Sequence, residues 1–213
     1  MRNVVLFLAL ACLAACSRPL TERELAFADA LFGPTLDTDP IVVSQGLGLF
    51  KPQTTVPDEV RVFQPNDQAC VRTPQPRSEI SPQAFALRNR VHLDSNLYTS
   101  DATLGWPNAL RVPQALVFAH ELVHVWQYQN RAETGYSAAR AVAESWRLAD
   151  PYFARIEGRP DFFSFGYEQQ AAIMEDWVCF TMLNPTHPKR AELRALLEPI
   201  FPVERFEAAV VRP

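Results

Sequence analysis

The chain has 213 residues, 48% hydrophobic and 21% charged, enough for one domain with a sizeable core. Its net charge is −4 and no basic cluster interrupts it, which argues against a nucleic-acid partner. Eighteen prolines against seven glycines predict rigid connections and irregular loops.

The first sixteen residues, MRNVVLFLALACLAAC, place one cation, Arg2, ahead of an apolar run from Val4 to Ala15. That run is shorter than the roughly 20 residues an ordinary membrane-spanning helix needs and has signal-peptide proportions. It ends in Leu13–Cys16, LAAC, which resembles a bacterial lipobox. The resemblance implies a signal peptide over 1–15, lipid on Cys16, a tether over 16–20 and a domain over 21–213. A plain secretory signal cut nearby is the alternative. Ser17 rather than Asp after the cysteine implies, by the sorting rule for such lipoproteins, the outer membrane of a Gram-negative cell. Cys12 leaves with the signal. Cys70 and Cys179 remain in an oxidising compartment, either as a disulfide or as two separate buried thiols.

Thr21 to Glu24, TERE, fits a capping box, and Leu25, Ala28, Leu31 and Phe32 recur at helical spacing until Gly33-Pro34. A helix is predicted over 22–32. Residues 41–50 and 59–63 read as short strands, and 64–82 as an irregular loop around Cys70. Residues 89–98 read as the best strand before the central helix, with His92 turned to the surface or a groove. Pro113 suits a first helical turn, and no breaker follows until Arg131. This helix is apolar nearly all round, so it is expected to be buried. Further helices are predicted over 137–149, 165–183 and 188–198. Strands first and helices afterwards indicate an α+β fold.

The central helix carries HELVHVWQYQ, residues 120 to 129. Residues four apart lie one above the other on a helix, so His120 and His124 can both aim a ring nitrogen at one point. Two imidazoles on a rigid turn supply two corners of a tetrahedral zinc site. Glu121 sits about 100° round the helix, where it cannot easily ligate the same ion but can take a proton from water activated there. The bland alternative is a pair of core histidines, but buried polar groups need partners. A catalytic zinc usually has a third protein ligand. Glu168, near the start of the helix over 165–183, is the first choice. Glu175, two turns on, is the main rival, and Asp176 a weaker one that could orient a ligand histidine. Ordinary first-turn carboxylate is the alternative for Glu168. His187 reads as surface, with a ligand or donor role as the alternative, and Tyr167 as either an oxyanion donor or a structural tyrosine.

HExxH with a downstream glutamate on a second helix resembles the gluzincin branch of zinc metallopeptidases. Three blocks together, residues 20–37, 120–129 and 161–177, resemble the HExxH proteins of unknown function found beside Rhs and VgrG elements in Gram-negative bacteria. The resemblance implies a zincin-like domain, a small N-terminal sheet packed on the HExxH helix, with further C-terminal helices. It implies His120, His124 and Glu168 as metal ligands, zinc as cofactor and Glu121 as general base. It also implies a peptide or protein substrate pairing with an edge strand, expected at 89–98. Many gluzincins carry Asp four residues after the ligand glutamate, where this chain has Ala172. The expected function is a lipid-anchored zinc peptidase. The alternatives are a non-catalytic zinc-binding or scaffolding lipoprotein, and a metal amidase acting on cell-wall peptides.

Overall fold

The computed structural model describes residues 17–46, 70–76, 83–158 and 161–210. The signal segment, Cys16 and the strand expected at 59–63 lie outside the described residues. The elements run β1 (Ser17–Pro19), α1 (Glu22–Phe32), β2 (Val42–Gln45), β3 (Ala84–Leu87), β4 (Arg90–Leu93), α2 (Gln114–Gln129), α3 (Arg131–Thr134), α4 (Ala138–Arg147), α5 (Tyr167–Leu183), α6 (Pro188–Leu197) and α7 (Val203–Ala209). The fold is α+β. Among the described residues, no helix is long and apolar enough to cross a membrane.

The four strands form one mixed sheet in the order β1-β2-β4-β3. β2 and β4 are parallel, with Val43 opposite Val91, and the outer pairs are antiparallel. Residues 17–19, expected in a tether, pair with β2 as part of the sheet. The strand expected over 89–98 stops at Leu93. Asp94 ends it: its side chain accepts from Asn96 N at 3.0 Å and its carbonyl from Leu97 N and Tyr98 N, both at 2.9 Å, closing a turn. β4 lies inside the sheet; among the described residues the outermost strands are β1 and β3, so the strand within 89–98 is not an edge.

α1 begins with the capping box that its sequence predicts: Thr21 Oγ1 accepts from Glu24 N at 3.1 Å, and Glu24 Oε2 accepts from Thr21 N at 3.0 Å. Glu24 is fully buried, and its charge is met by Arg18 of β1 at 2.6 and 2.7 Å and by Ala102 N at 2.8 Å. This carboxylate locks the sheet edge, α1 and the 101–103 turn together.

The core is aromatic. Phe27 of α1 meets Trp106 and Phe206 edge-on, and Trp177 of α5 reaches the same Phe206. A second group joins Phe32, Trp126, Phe162 and Phe201. Full burial of one such side chain stabilises by about 1.5–3 kcal/mol. α2 and α5 pack along each other at the centre, and β3 and β4 cover α2. Both helices are buried on most sides, so each polar residue on them must be partnered. The segment 70–76 is fastened to α5 by a disulfide between Cys70 and Cys179, with 5.7 Å between the Cα atoms.

Candidate metal centre

His120 and His124 lie one turn apart on α2, both buried, and the facing helix α5 brings Glu168 onto them. The start of α5 is fixed by neighbours. Gly166 N donates to Gln169 Oε1 at 3.2 Å, and Tyr167 N donates to Glu144 Oε2 of α4 at 2.9 Å. Glu168 is thus set in the first turn of a helix that is held at both its own cap and at α4.

Three ligand atoms converge. His120 Nε2 and His124 Nε2 each lie 3.2 Å from Glu168 Oε2 and 3.3 Å from one another. The opposite ring nitrogens are held by acceptors. His120 Nδ1 lies 3.1 Å from Glu175 Oε2, and His124 Nδ1 lies 2.9 Å from Gln127 Oε1. The Gln127 amide is oriented in turn, its Nε2 donating to Gln170 Oε1 at 2.9 Å and to Tyr167 O at 3.2 Å. In the neutral rings, Nδ1–H donation outward to Glu175 and Gln127 would leave each Nε2 with a lone pair that a cation could take.

Two ligands about 2.0–2.1 Å from a tetrahedral ion stand about 3.3 Å apart, the edge of the tetrahedron. All three separations here match that edge. The donor set is two imidazoles and one carboxylate. His120, His124 and Glu168 could hold a metal ion.

The electrostatics of the protein groups agree with a cation site. Burial alone would drive Glu168 upward, but the His124 and His120 imidazoles hold it well below the usual carboxylate range. Burial would lower His120, yet its acceptors Glu168 and Glu175 push it up to about 10. His124 is raised against burial by Glu168. Glu121 behaves differently: burial pushes it up to about 7, opposed by the two histidines. Its Oε2 is buried without a hydrogen-bond partner. Leaving a buried carboxylate oxygen unpaired costs about 1–3 kcal/mol or more.

Glu175, the expected rival ligand, does not join the converging set; it holds His120 from behind. Asp176, expected as the orienting group, accepts instead from Arg72 Nε and Nη2 at 3.1 and 2.9 Å. Arg72 also reaches Glu175 Oε2 at 3.0 Å, so the guanidinium bridges both acids. Ala172 is buried and offers no polar group; the orienting role sits at Glu175, three positions on. Tyr167 is not free to serve an oxyanion, because its hydroxyl donates to Gly135 O at 2.8 Å. His187 caps α6, accepting from Lys189 N at 3.2 Å, and stacks on Phe180. His92 stacks on Phe85 with ring centroids 4.4 Å apart.

Sequence reasoning missed Gln127, Arg72, Tyr136 and Tyr152. Gln127 left a signal, an amide on the buried face three residues after a candidate ligand. The others left none, since each arrives from an irregular segment. Tyr136 lines the cleft with Glu121, His124 and Glu168, and the Tyr152 ring centroid is 5.6 Å from that of His120. Burial, then the charges of Glu168 and Glu121, raises the Tyr136 phenol, so it keeps its proton at neutral pH. No family model, curated protein or solved structure matches the chain.

Proposed function

We propose that the chain is a zincin-like, zinc-dependent peptidase, anchored to the outer membrane by lipid on Cys16. The observation that carries this reading is Glu121, buried beside the His120–His124–Glu168 triad, lining the same cleft, with Oε2 unpartnered. A site that only stabilised the fold would need no such carboxylate. Two histidines and a glutamate are a donor set suited to zinc, which when bound would supply Lewis acidity to a water and to a substrate carbonyl.

The residues divide the remaining work. His120 and His124 present Nε2, their orientation fixed by Glu175 and Gln127. Glu121 accepts the proton of the attacking water and returns it to the leaving amine. Tyr136, still protonated, can donate to a carbonyl oxygen in the cleft.

The test is to purify residues 17–213, measure bound metal, and compare cleavage of a peptide library by the wild type and by Glu121→Gln. Cleavage by wild type alone is expected. Zinc retained with no cleavage, across the library and cell-wall fragments, would leave a zinc-binding scaffold. Absence of bound metal would overturn both.

A further inference from the structure

Gln127 is fully buried on α2, and Gln170 of α5 is buried against it. The two amides form a relay. His124 Nδ1 lies 2.9 Å from Gln127 Oε1. Gln127 Nε2 lies 2.9 Å from Gln170 Oε1 and 3.2 Å from the Tyr167 carbonyl. Gln170 Nε2 lies 2.8 Å from the Phe165 carbonyl.

An amide presents oxygen on one side and NH2 on the other, and half a turn exchanges them. Beside a lone amide, a neutral His124 could carry its proton on either ring nitrogen. Main-chain carbonyls remove that freedom, because they accept and never donate. The Phe165 carbonyl requires the Gln170 NH2, which turns Gln170 Oε1 toward Gln127. That oxygen and the Tyr167 carbonyl together require the Gln127 NH2. Gln127 Oε1 is then left facing His124, whose Nδ1 has to donate. Turning either amide, or both, sets oxygen against oxygen at a buried contact, which is costly.

His120 needs no such relay. Its Nδ1 faces Glu175, whose ionised carboxylate only accepts. On the His124 side, a neutral amide adds no further anion to a site that already gathers Glu121, Glu168 and Glu175.

We propose that Gln127 is a positioning residue: held in one direction by the Tyr167 and Phe165 carbonyls, it assigns the proton of neutral His124 to Nδ1 and leaves Nε2 bare toward Glu168. The ligand lone pair is thus in place without a metal. The same amide ties His124 on α2 to the first turn of α5, which carries Glu168. The use of that lone pair rests on the metal-binding reading of the triad; the proton's position does not.

The experiment uses residues 17–213, the span that carries every element of the fold, with nitrogen-labelled histidine. Nitrogen NMR reads the His124 tautomer in zinc-loaded protein and in stripped protein at alkaline pH, where the ring is neutral; a His124→Gln sample assigns the resonances. Nδ1–H is expected in both states, with zinc on Nε2. Gln127→Met, similar in length and without a polar amide, should populate both tautomers when stripped and lose about 10- to 100-fold in zinc affinity, measured by chelator competition. Gln127→Glu separates the relay from a simple acceptor. It keeps an oxygen toward His124 but sets the other against the Tyr167 carbonyl, so zinc should bind about 10-fold more weakly. A plain acceptor would instead gain from the added charge. Nε2–H on His124 in the wild type, an unchanged tautomer and zinc affinity in Gln127→Met, or zinc held as tightly by Gln127→Glu as by the wild type would each overturn the proposal. Should a variant fail to melt cooperatively, the wild-type tautomer decides alone. Nδ1–H in a wild type that takes up no zinc would uphold the proposal and overturn the zinc reading.

Discussion

Glu175→Gln removes one negative charge behind His120 and keeps an amide oxygen of similar shape. In the wild type, Glu175 Oε2 lies 3.1 Å from His120 Nδ1 and 3.0 Å from Arg72 Nη2. Hydrogen bonds to a charged group contribute about 1.5–3 kcal/mol and neutral ones about 1 kcal/mol. The loss is therefore about 0.5–2 kcal/mol of His120 basicity and orientation, or about 2- to 30-fold in metal affinity. Glu175→Ala, which removes the acceptor altogether, should reach about 100-fold. Asp176→Asn is the control, because Asp176 touches Arg72 and not the histidine; it should stay under about threefold. The assay is zinc competition against a chromophoric chelator, run beside a thermal melt of metal-free protein. Wild-type affinity in Glu175→Gln, or an equal loss in Asp176→Asn, would show that Glu175 does not set the basicity of His120.

Glu121→Gln should retain zinc affinity within a few-fold and lose about 10²- to 10⁴-fold in peptide turnover, measured at saturating zinc; parallel loss of both would move Glu121 into the ligand set. In metal-free protein His120 is raised from 6.5 to about 10, so its stabilising contribution is full below about pH 6.5 and lost as pH climbs to about 10. The thermal midpoint of chelator-stripped protein should fall across that window, and a rise would contradict the assignment. The Cys70–Cys179 bridge closes a separation of 109 residues. Replacing both cysteines by Ser should cost about 4 kcal/mol in urea unfolding, and an unchanged midpoint would show that the bridge constrains nothing.

The helices were legible because their signals are local. Thr21 and Glu24 make a cap within one turn, and the apolar surround of residues 114–129 needs no distant partner to be recognised. Two imidazoles at helical spacing carried the same kind of information. The sheet was harder. β1 is Ser-Arg-Pro, with no apolar alternation, and is held by backbone pairing to β2 and by Arg18 on Glu24. β3 reads Ala-Phe-Ala-Leu, where the small residues pack inward and the large ones face out, the reverse of the usual pattern. α7 buries only Val203 and Phe206, too little for a helical period to show. At the site, Glu168 was readable as an acid leading an apolar helix. Its division of labour with Glu175 was not, because two turns of one helix separate acids whose roles depend on which histidine nitrogen each one meets.

The bridge between Cys70 and Cys179 also bears on how the chain tolerates change. Arg72 stands two positions from one end of it, and Glu175 and Asp176 stand about one helical turn from the other. The staple holds the Arg72 guanidinium against α5. Loss of either cysteine would therefore loosen what stands behind His120 as well as the fold.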